Sequence, residues 1–570
     1  MKMNGKTVIM KKSLMLAGVL AFGSVVVWGS GTSPRGADWP QWRGPMRDGV
    51  AAAGPKLIDS WPTNGLKRLW NSEPIGGEGD GDGSEVGGYG SISVAEGKAI
   101  FYANCKYPRG KVVFTTQALL GLGWREDLSE ALIKTIDEAY NSPKRMGLKQ
   151  GKALDDAALE TYATEFLKTL DADTNKKFGT FIHDRLAIQH FRGKYTWDEL
   201  YSLYKMRDRE FDTVQAWNDA SGNMLYRHNE RAYAIRSILD MQAFRYTDTV
   251  ICLDVATGRT LWRKEFPGNA DGDVFNHCSG ASSSPAISGG RCTVSGSAGV
   301  YCLSVKDGAV IWQKPATFTF TSPLVLNGIV TICYPDGLVA YDANSGEVLW
   351  KLPEISNVSG SVVGWTYGGT QYLIGTSNGD KRSFLFCVEA TKGTLIWKAV
   401  GAKYDFSFST PAINGDLAVV FSRNSLRAYK LSPLKAEDAW TSKAAFDNHG
   451  FASPLIYGGY VYVEGGHYVN SGLHCFDLKT GETKWEVAMA GLNCPSPLAV
   501  DGRIIANITG EPRPQTVMFK ATPEKYVELG RTALTAEEPL SLNASPSVAG
   551  GKLFLRLKDS VACYDLTAKE

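Results

Sequence analysis

The sequence predicts an all-β protein: an eight-bladed β-propeller closed by an N-terminal strand, with an α-helical insertion in the first blade. Three observations predict it. A module of four short strands recurs along the chain. Its third and fourth strands carry a small residue, a Gly turn and a Trp at fixed spacing. Eight innermost strands can be counted independently of those tryptophans.

The module is clearest at Ser284–Pro315, where SPAI, RCTV, VYCLSV and AVIWQ are separated by Gly-Gly, Ser-Gly-Ser-Ala-Gly and Lys-Asp-Gly. Such punctuation marks hairpins. Cys302 stands ten residues before Trp312, and the same spacing joins Cys252 to Trp262, Ala340 to Trp350, Cys387 to Trp397 and Cys475 to Trp485. A looser copy runs from Ala428 to Trp440. These tryptophans recur every 38 to 50 residues, the period of propeller blades.

Inner strands begin at Gly90-SISV, Ser284-PAI, Ser322-PLV, Ser359-GSVV, Thr410-PAI, Ser453-PLI, Ser496-PL and Ser545-PSV, which makes eight. The last blade has three strands before Glu570, and Leu66-KRLWN with Trp70 supplies the fourth. A ring closed in this way leaves no exposed sheet edge. Seven blades is the alternative count, because the stretch Val517–Arg531 has no Trp.

The A/C-x-D-x-x-T-G-x-x-x-W pattern resembles the PQQ-like propeller repeat of quinoprotein alcohol dehydrogenases and of the scaffold lipoprotein of the bacterial outer-membrane assembly machine. The segment Asp38-WPQWRGPMRDGV looks like the start of many bacterial PQQ-binding-like propeller proteins. The resemblance covers roughly residues 38–102 and 248–570. It specifies fold well and function poorly.

The chain divides into 1–31, a signal peptide or anchor; 38–102, an N-terminal segment and the start of the propeller; 103–248, a helical insertion; and 249–570, the rest of the propeller. Lys2, Lys6, Lys11 and Lys12 precede the apolar run Ser13–Gly29, the pattern of a secretory signal. Export to the periplasm or another extracytoplasmic compartment is therefore expected, with no membrane span beyond this segment. The net charge of +2 argues against a nucleic-acid partner.

Five of the ten cysteines (252, 302, 387, 475 and 563) share one repeat position with Ala340 and Ala428, which calls for a small apolar side chain and not a disulfide. Cys105, Cys278, Cys292, Cys333 and Cys494 lie elsewhere and cannot be paired from sequence. The alternation Glu78-x-Asp80-x-Asp82-Gly83 has the opening of a calcium loop, but Tyr89 stands at the closing position. It reads as a weak metal site or, more plainly, a solvated acidic loop.

From Ala103 to Asp248 the spacing turns helical, as in Leu128, Leu132, Ile136 and Ala139. About five helices are expected, one of them over Trp197–Phe211 and capped by Thr196. They connect the second and third strands of the first blade. Because strands alternate in direction, this connection emerges on the face from which the chain enters each inner strand. His183, His190 and His228 fall in this insertion without a metal-binding pair motif.

The loops leading into the inner strands carry Asp273, Asn276, His277, Asn357, Asp405, Asn448, His449, Asn493 and Asn543, and His467 lies in a neighbouring loop on that face. These form the expected ligand-binding funnel rim, although Asn and Asp also cap turns. Trp70, Trp262, Trp312, Trp350, Trp397, Trp440 and Trp485 are expected to dock each blade on the next.

A quinoprotein needs a quinone, a polarising Ca²⁺ and a carboxylate base. In the resembled dehydrogenases an adjacent Cys-Cys pair underlies the cofactor, and this chain has no such dipeptide. No catalytic residue can be assigned. The expectation is an exported, monomeric binding or scaffold propeller with a protein, peptide or carbohydrate partner. A PQQ- and calcium-dependent oxidoreductase acting on alcohols or sugars is the alternative. A hydrolase ranks last, since no nucleophile motif is present.

Overall fold

Short apolar-alternating runs separated by Gly-containing turns cannot extend into long elements, so the chain folds into small antiparallel sheets. The computed structural model describes residues 38–568 except 64, 77–84, 151–152, 188–194, 227–229, 269–282, 379–382, 402–408, 423–424, 444–451, 466–471, 490–494, 509–513, 534–539 and 542–543. Among the described residues, eight sheets of four or five strands follow one another. Sheets 2 to 7 span 286–315, 324–352, 363–400, 412–441, 455–488 and 498–533, each with its four strands paired in chain order.

Sheet 1 contains Ser93–Ala95, Lys98–Pro108, Phe244–Asp254 and Thr260–Pro267, with Glu85–Gly87 also paired to the long second strand. In sheet 8, Ser547–Ala549, Lys552–Arg556 and Val561–Asp565 are completed by Arg68–Asn71 from the other end of the chain. Trp70 there sits opposite Cys563, the register that places Trp312 opposite Cys302 and Trp350 opposite Ala340. Sheet 7 has four strands without that Trp and pairs Met518 with Gly530.

Each indole reaches the next sheet. The Nε1–H of Trp70, Trp262, Trp312, Trp350, Trp397, Trp440 and Trp485 donates to the carbonyl of Val255, Val305, Ala343, Ala390, Ser432, Leu478 and Thr522 respectively. Gly308 lies under Trp262 with φ of 72°, and a Cβ there would sit 2.7 Å from the ring. Only glycine allows both the approach and the dihedral. Between sheets 7 and 8, residues 51–61 take the place of a docking Trp: Trp61 N–H donates to Leu529 O and Ile58 N–H to Leu566 O.

The hydrophobic clusters follow the same plan. Val419 and Phe421 of sheet 5 pack with Val461 and Val463 of sheet 6, and Tyr462 of sheet 6 packs with Ile504 and Ala506 of sheet 7. The helical part has a core of its own, centred on Ile136, Ile182, Trp197, Leu200 and Trp217.

That helical part joins the second and third strands of sheet 1. Strand pairing persists to Pro108 and resumes at Phe244, so the β-structure reaches further into the insertion than the expected 103–248. Eight α-helices are described between Thr116 and Ala243, more than the five expected, because several are one or two turns long. The helix beginning at Trp197 ends at Met206, and Glu210–Phe211 instead pairs as a strand with Val112–Val113. Thr196 caps it through a reciprocal box with Glu199. No described helix is long and apolar enough to cross a membrane.

Candidate functional site

One side chain recurs where the chain enters the first strand of each sheet, and it links that strand to the first strand of the next. Ser91 N–H donates to Ser284 Oγ, Ser284 to Ser322, Ser322 to Ser361, Ser361 to Thr410, Thr410 to Ser453, Ser453 to Ser496 and Ser496 to Ser545. Ser545 N–H then donates to Ser91 Oγ, and the eight distances fall between 2.8 and 3.0 Å. The hydroxyl is short enough to bridge neighbouring strands that do not pair through their backbones. All eight residues are buried.

Residues 39–51 run past this circuit and bond the first strands of several sheets, or the residues just before them. Trp39 pairs with Val94 of sheet 1, and Pro40 O accepts from Ile287 of sheet 2. Arg47 donates to Val362 O of sheet 4 at 2.9 Å, to Ser322 O at 2.8 Å and to Pro323 O. Arg43 Nη2 donates to Pro454 O, and Gly49 and Ala51 bond Ala499 of sheet 7. The turns that fold this segment back on itself put both Arg43 and Arg47 at positive φ, 61° and 57°. Non-glycine residues adopt that region at a cost, and such strain persists only where surrounding contacts hold it. The segment was read from sequence as a family mark, with no hint that it bonds several sheets at once. Its two tryptophans and two arginines within nine residues of turn-forming sequence are the signal that was available.

Of the expected funnel rim, Asn357 is described. It is buried, its Oδ1 accepts from Ser359 and Gly360 N–H, and its Nδ2 donates to Thr376 O and Oγ1. Its hydrogen-bonding capacity is thereby committed to its own loop and to the second strand of sheet 4. Asp273, Asn276, His277, Asp405, Asn448, His449, His467, Asn493 and Asn543 lie outside the described residues, as do Glu78, Asp80 and Asp82. His190 and His228 are also outside; His183 lies on the helical part beside Glu160, 3.4 Å away.

Two buried carboxyl groups escaped the sequence analysis. Asp248, at the base of the helical part, accepts from Tyr102 (2.6 Å), Asn104 (3.1 Å) and both Ser297 N–H (2.8 Å) and Oγ–H (2.7 Å). Burial lifts its acidity range upward and these donors oppose that rise. Glu464, in the second strand of sheet 6, is 1% exposed and neither carboxyl oxygen has a hydrogen-bond partner. Burial alone pushes this carboxyl well above its usual range. Its position in the run Tyr460–Gly465, which is buried throughout from Val461 on, was legible as an anomaly, an acid at the end of an apolar strand. A cleft of about 540 Å³ opens where the helices leave sheet 1, lined by Arg109, Phe244, Tyr246, Glu265 and Phe266.

Among the described residues there is no group of three or more His, Cys, Asp or Glu able to hold a metal ion. The eight described cysteines are free and buried, and burial pushes thiols such as Cys302 up to about 11 and Cys387 up to about 12. Cys278 and Cys494 lie outside the described residues.

Against known families, the sequence matches the one described as outer membrane protein assembly factor BamB over residues 246–487 and 335–570, together more than half of its length. No curated protein matches. Similar solved structures include BamB from Moraxella catarrhalis, at 15% identity and TM-score 0.32, over 58% of this chain and 81% of that one. A quinohemoprotein alcohol dehydrogenase from Comamonas testosteroni aligns at 12% identity and TM-score 0.42, over 57% and 73%. A europium-containing methanol dehydrogenase aligns at 12% identity and TM-score 0.41, over 55% and 80%.

Proposed function

The chain belongs to the family of the outer membrane protein assembly factor BamB, a PQQ-like propeller family, and from that premise we propose that it is an exported binding or scaffold protein. In this reading the eight sheets are blades of one ring closed by the N-terminal strand. The hydroxyl circuit that returns from Ser545 to Ser91 supports eight blades, and the pairing of Arg68–Asn71 with Val561–Asp565 supports the closure. The lysines before the apolar run Ser13–Gly29 support export.

One observation carries the functional choice: in such a ring the central channel holds the chain's own segment 39–51, bonded to sheets 1, 2, 3, 4, 6 and 7. A flat cofactor in that layer would displace it. The surface left for recognition is the face from which the chain enters the first strands, with its loops and helical cap, and a protein, peptide or carbohydrate is the class of partner it would take. The family's description as an assembly factor favours a protein.

Titration of the purified chain with PQQ and Ca²⁺, followed by absorbance and a dye-linked assay over alcohols and sugars, tests this choice. The scaffold reading expects no stoichiometric PQQ binding and no dye reduction. It also expects a photo-crosslinker at exposed Lys134 of the cap to capture one defined partner in cells. Calcium-dependent binding with dye reduction would make the protein an oxidoreductase instead.

A further inference from the structure

A cavity of about 820 Å³ opens between sheets 2 and 3, at the ends where their first and second strands turn back. Ala286, Ser288, Arg291 and Thr293 of sheet 2 form one wall, and Val325 and Ile329 of sheet 3 stand on the other. Pairing within sheet 2 sets Ser288 opposite Arg291 and Ala286 opposite Thr293. Among the described residues none from the helical part lines the cavity, so it is a site apart from the cap.

Larger residues hold the same four positions in other sheets. In sheet 4 the matching pairs are Trp365 with Tyr372 and Val363 with Ile374, and in sheet 6 they are Tyr457 with Tyr460 and Leu455 with Tyr462. These side chains fill the space before the next sheet. Val363, Trp365 and Ile374 pack with Ala418 and Val420 of sheet 5, and Leu455 and Tyr462 pack with Ile504 and Ala506 of sheet 7. The aromatic residue nearest the turn also reaches across: Trp365 Nε1–H donates to Gly415 O at 3.0 Å, and Tyr457 Oη accepts from Gly502 N–H at 3.1 Å. Gly415 and Gly502 lie in the first hairpin turns of sheets 5 and 7. In sheet 3 that turn is Asn327-Gly328, which borders the cavity, and sheet 2 extends towards it only the short side chain of Ser288.

Two charged groups line the opening. Arg291 donates from Nη1 to Gly289 O at 3.3 Å, and its buried Nε has no hydrogen-bond partner. Asp342 Oδ1 accepts from Asn344 and Ser345, which leaves Oδ2 to an incoming donor. The Ser345 N–H foremost, and also the nearby charge of Arg291, hold this carboxyl below its usual range as an ionised acceptor.

We infer that this cavity binds an aromatic ring carrying a hydrogen-bond donor, the side chain of a tyrosine in a partner polypeptide or a free phenol, in the slot that Trp365 and Tyr457 fill in their own sheets. The ring packs between Thr293 and the apolar wall of Val325 and Ile329, its hydroxyl donates to Asp342, and the Arg291 guanidinium meets its π face. A cavity of about 820 Å³ has room for more than one ring, which favours a polypeptide as the source. An aromatic anchor in a pocket is the usual centre of such an interface.

The test titrates the full purified chain with a capped Gly-Tyr-Gly peptide, with its Phe and Ala counterparts, and with p-cresol, followed by calorimetry and by saturation-transfer NMR. One saturable site for the Tyr peptide is expected, about fivefold tighter than for the Phe peptide, which lacks the donor. The Ala peptide should not bind. Tighter binding of the Tyr peptide than of p-cresol identifies a polypeptide source, and equal affinity identifies a free phenol. Ser288→Tyr gives sheet 2 the side chain that sheet 6 carries at this position. It should raise Tm and abolish binding of both probes. Should that variant fail to fold, Thr293→Ile, which copies sheet 4, must weaken binding of both. No saturable binding of either probe, a Phe peptide that binds as well as the Tyr peptide, or affinities that neither variant changes, overturns the inference.

Discussion

The backbone N–H of Ser545 donates a 3.0 Å hydrogen bond to the hydroxyl of Ser91, 454 residues earlier in the chain. Seven other links of the same kind join the remaining inner strands, so the two ends of the sequence are tied through the same chemistry as any adjacent pair. The inner strands are only three residues long in most sheets and do not pair with one another. A side-chain hydroxyl therefore satisfies an N–H that strand pairing leaves over.

Removing one hydroxyl should leave one buried N–H without a partner. Ser322→Ala, which orphans Ser284 N–H, is expected to cost about 1–3 kcal/mol, the desolvation penalty of a buried donor. Ser322→Thr should cost much less, because Thr410 already fills this role in the circuit. Urea unfolding of both variants checks this. An alanine variant as stable as the parent would mean that the link is incidental.

Gly308 and Gly290 isolate what tryptophan docking demands. Both have φ of 72° and both lie in turns of sheet 2, but a Cβ at Gly290 meets nothing within 4 Å while one at Gly308 meets the Trp262 ring at 2.7 Å. Gly290→Ala should cost about 1 kcal/mol from the dihedral alone. Gly308→Ala should cost about 1–3 kcal/mol more, since the indole must move off its seat. Equal losses in chemical denaturation would show that the ring gives way freely.

Glu464 makes stability depend on pH with a definite sign. Its folded-state pKa is raised, so the native protein holds a proton that the unfolded chain releases. The contribution is most favourable below the unfolded value of about 4.3 and is lost as pH climbs from there towards the folded value. Glu464→Gln removes the titration. Its stability relative to the parent should therefore grow with pH, by up to about 1.4 kcal/mol per unit within that window. Parallel stability curves for the two proteins from pH 5 to 9 would refute the assignment.

Sheet architecture was legible in the sequence because each sheet announces itself locally. Cys302, Asp307-Gly308 and Trp312 fall within eleven residues, and their spacing survives in register as a Cys–Trp pair across two strands. The helical insertion was legible as a change of period. Its limits were not, because the strands ending at Pro108 and beginning at Phe244 run on past the repeat's usual length. The bonding of Trp39–Val50 to several sheets was hidden for a different reason. Its partners, Val94, Ile287, Val362, Pro454 and Ala499, are ordinary residues in or just before the first strands, and their contribution is a backbone group. Backbone partners leave no mark on residue identity. Glu464 did leave one, a lone acid in the otherwise apolar run Tyr460–Val463.

The helical part is built to be removable. Arg109 N–H donates to Ala243 O at 2.6 Å, and Pro108 pairs with Phe244, so the insertion leaves and rejoins sheet 1 at a single point. Its apolar residues pack on one another in a cluster separate from those between the sheets. Replacing 110–242 with Asn-Gly, a pair suited to a two-residue hairpin turn, should therefore leave a folded β-protein. The expected result is loss of the helical far-UV signal with a cooperative thermal transition retained. Capture of a partner through the cap should vanish. A shortened chain that aggregates or unfolds without cooperativity would show that the helices hold the sheets together, and the cap would then be a structural brace rather than a recognition surface.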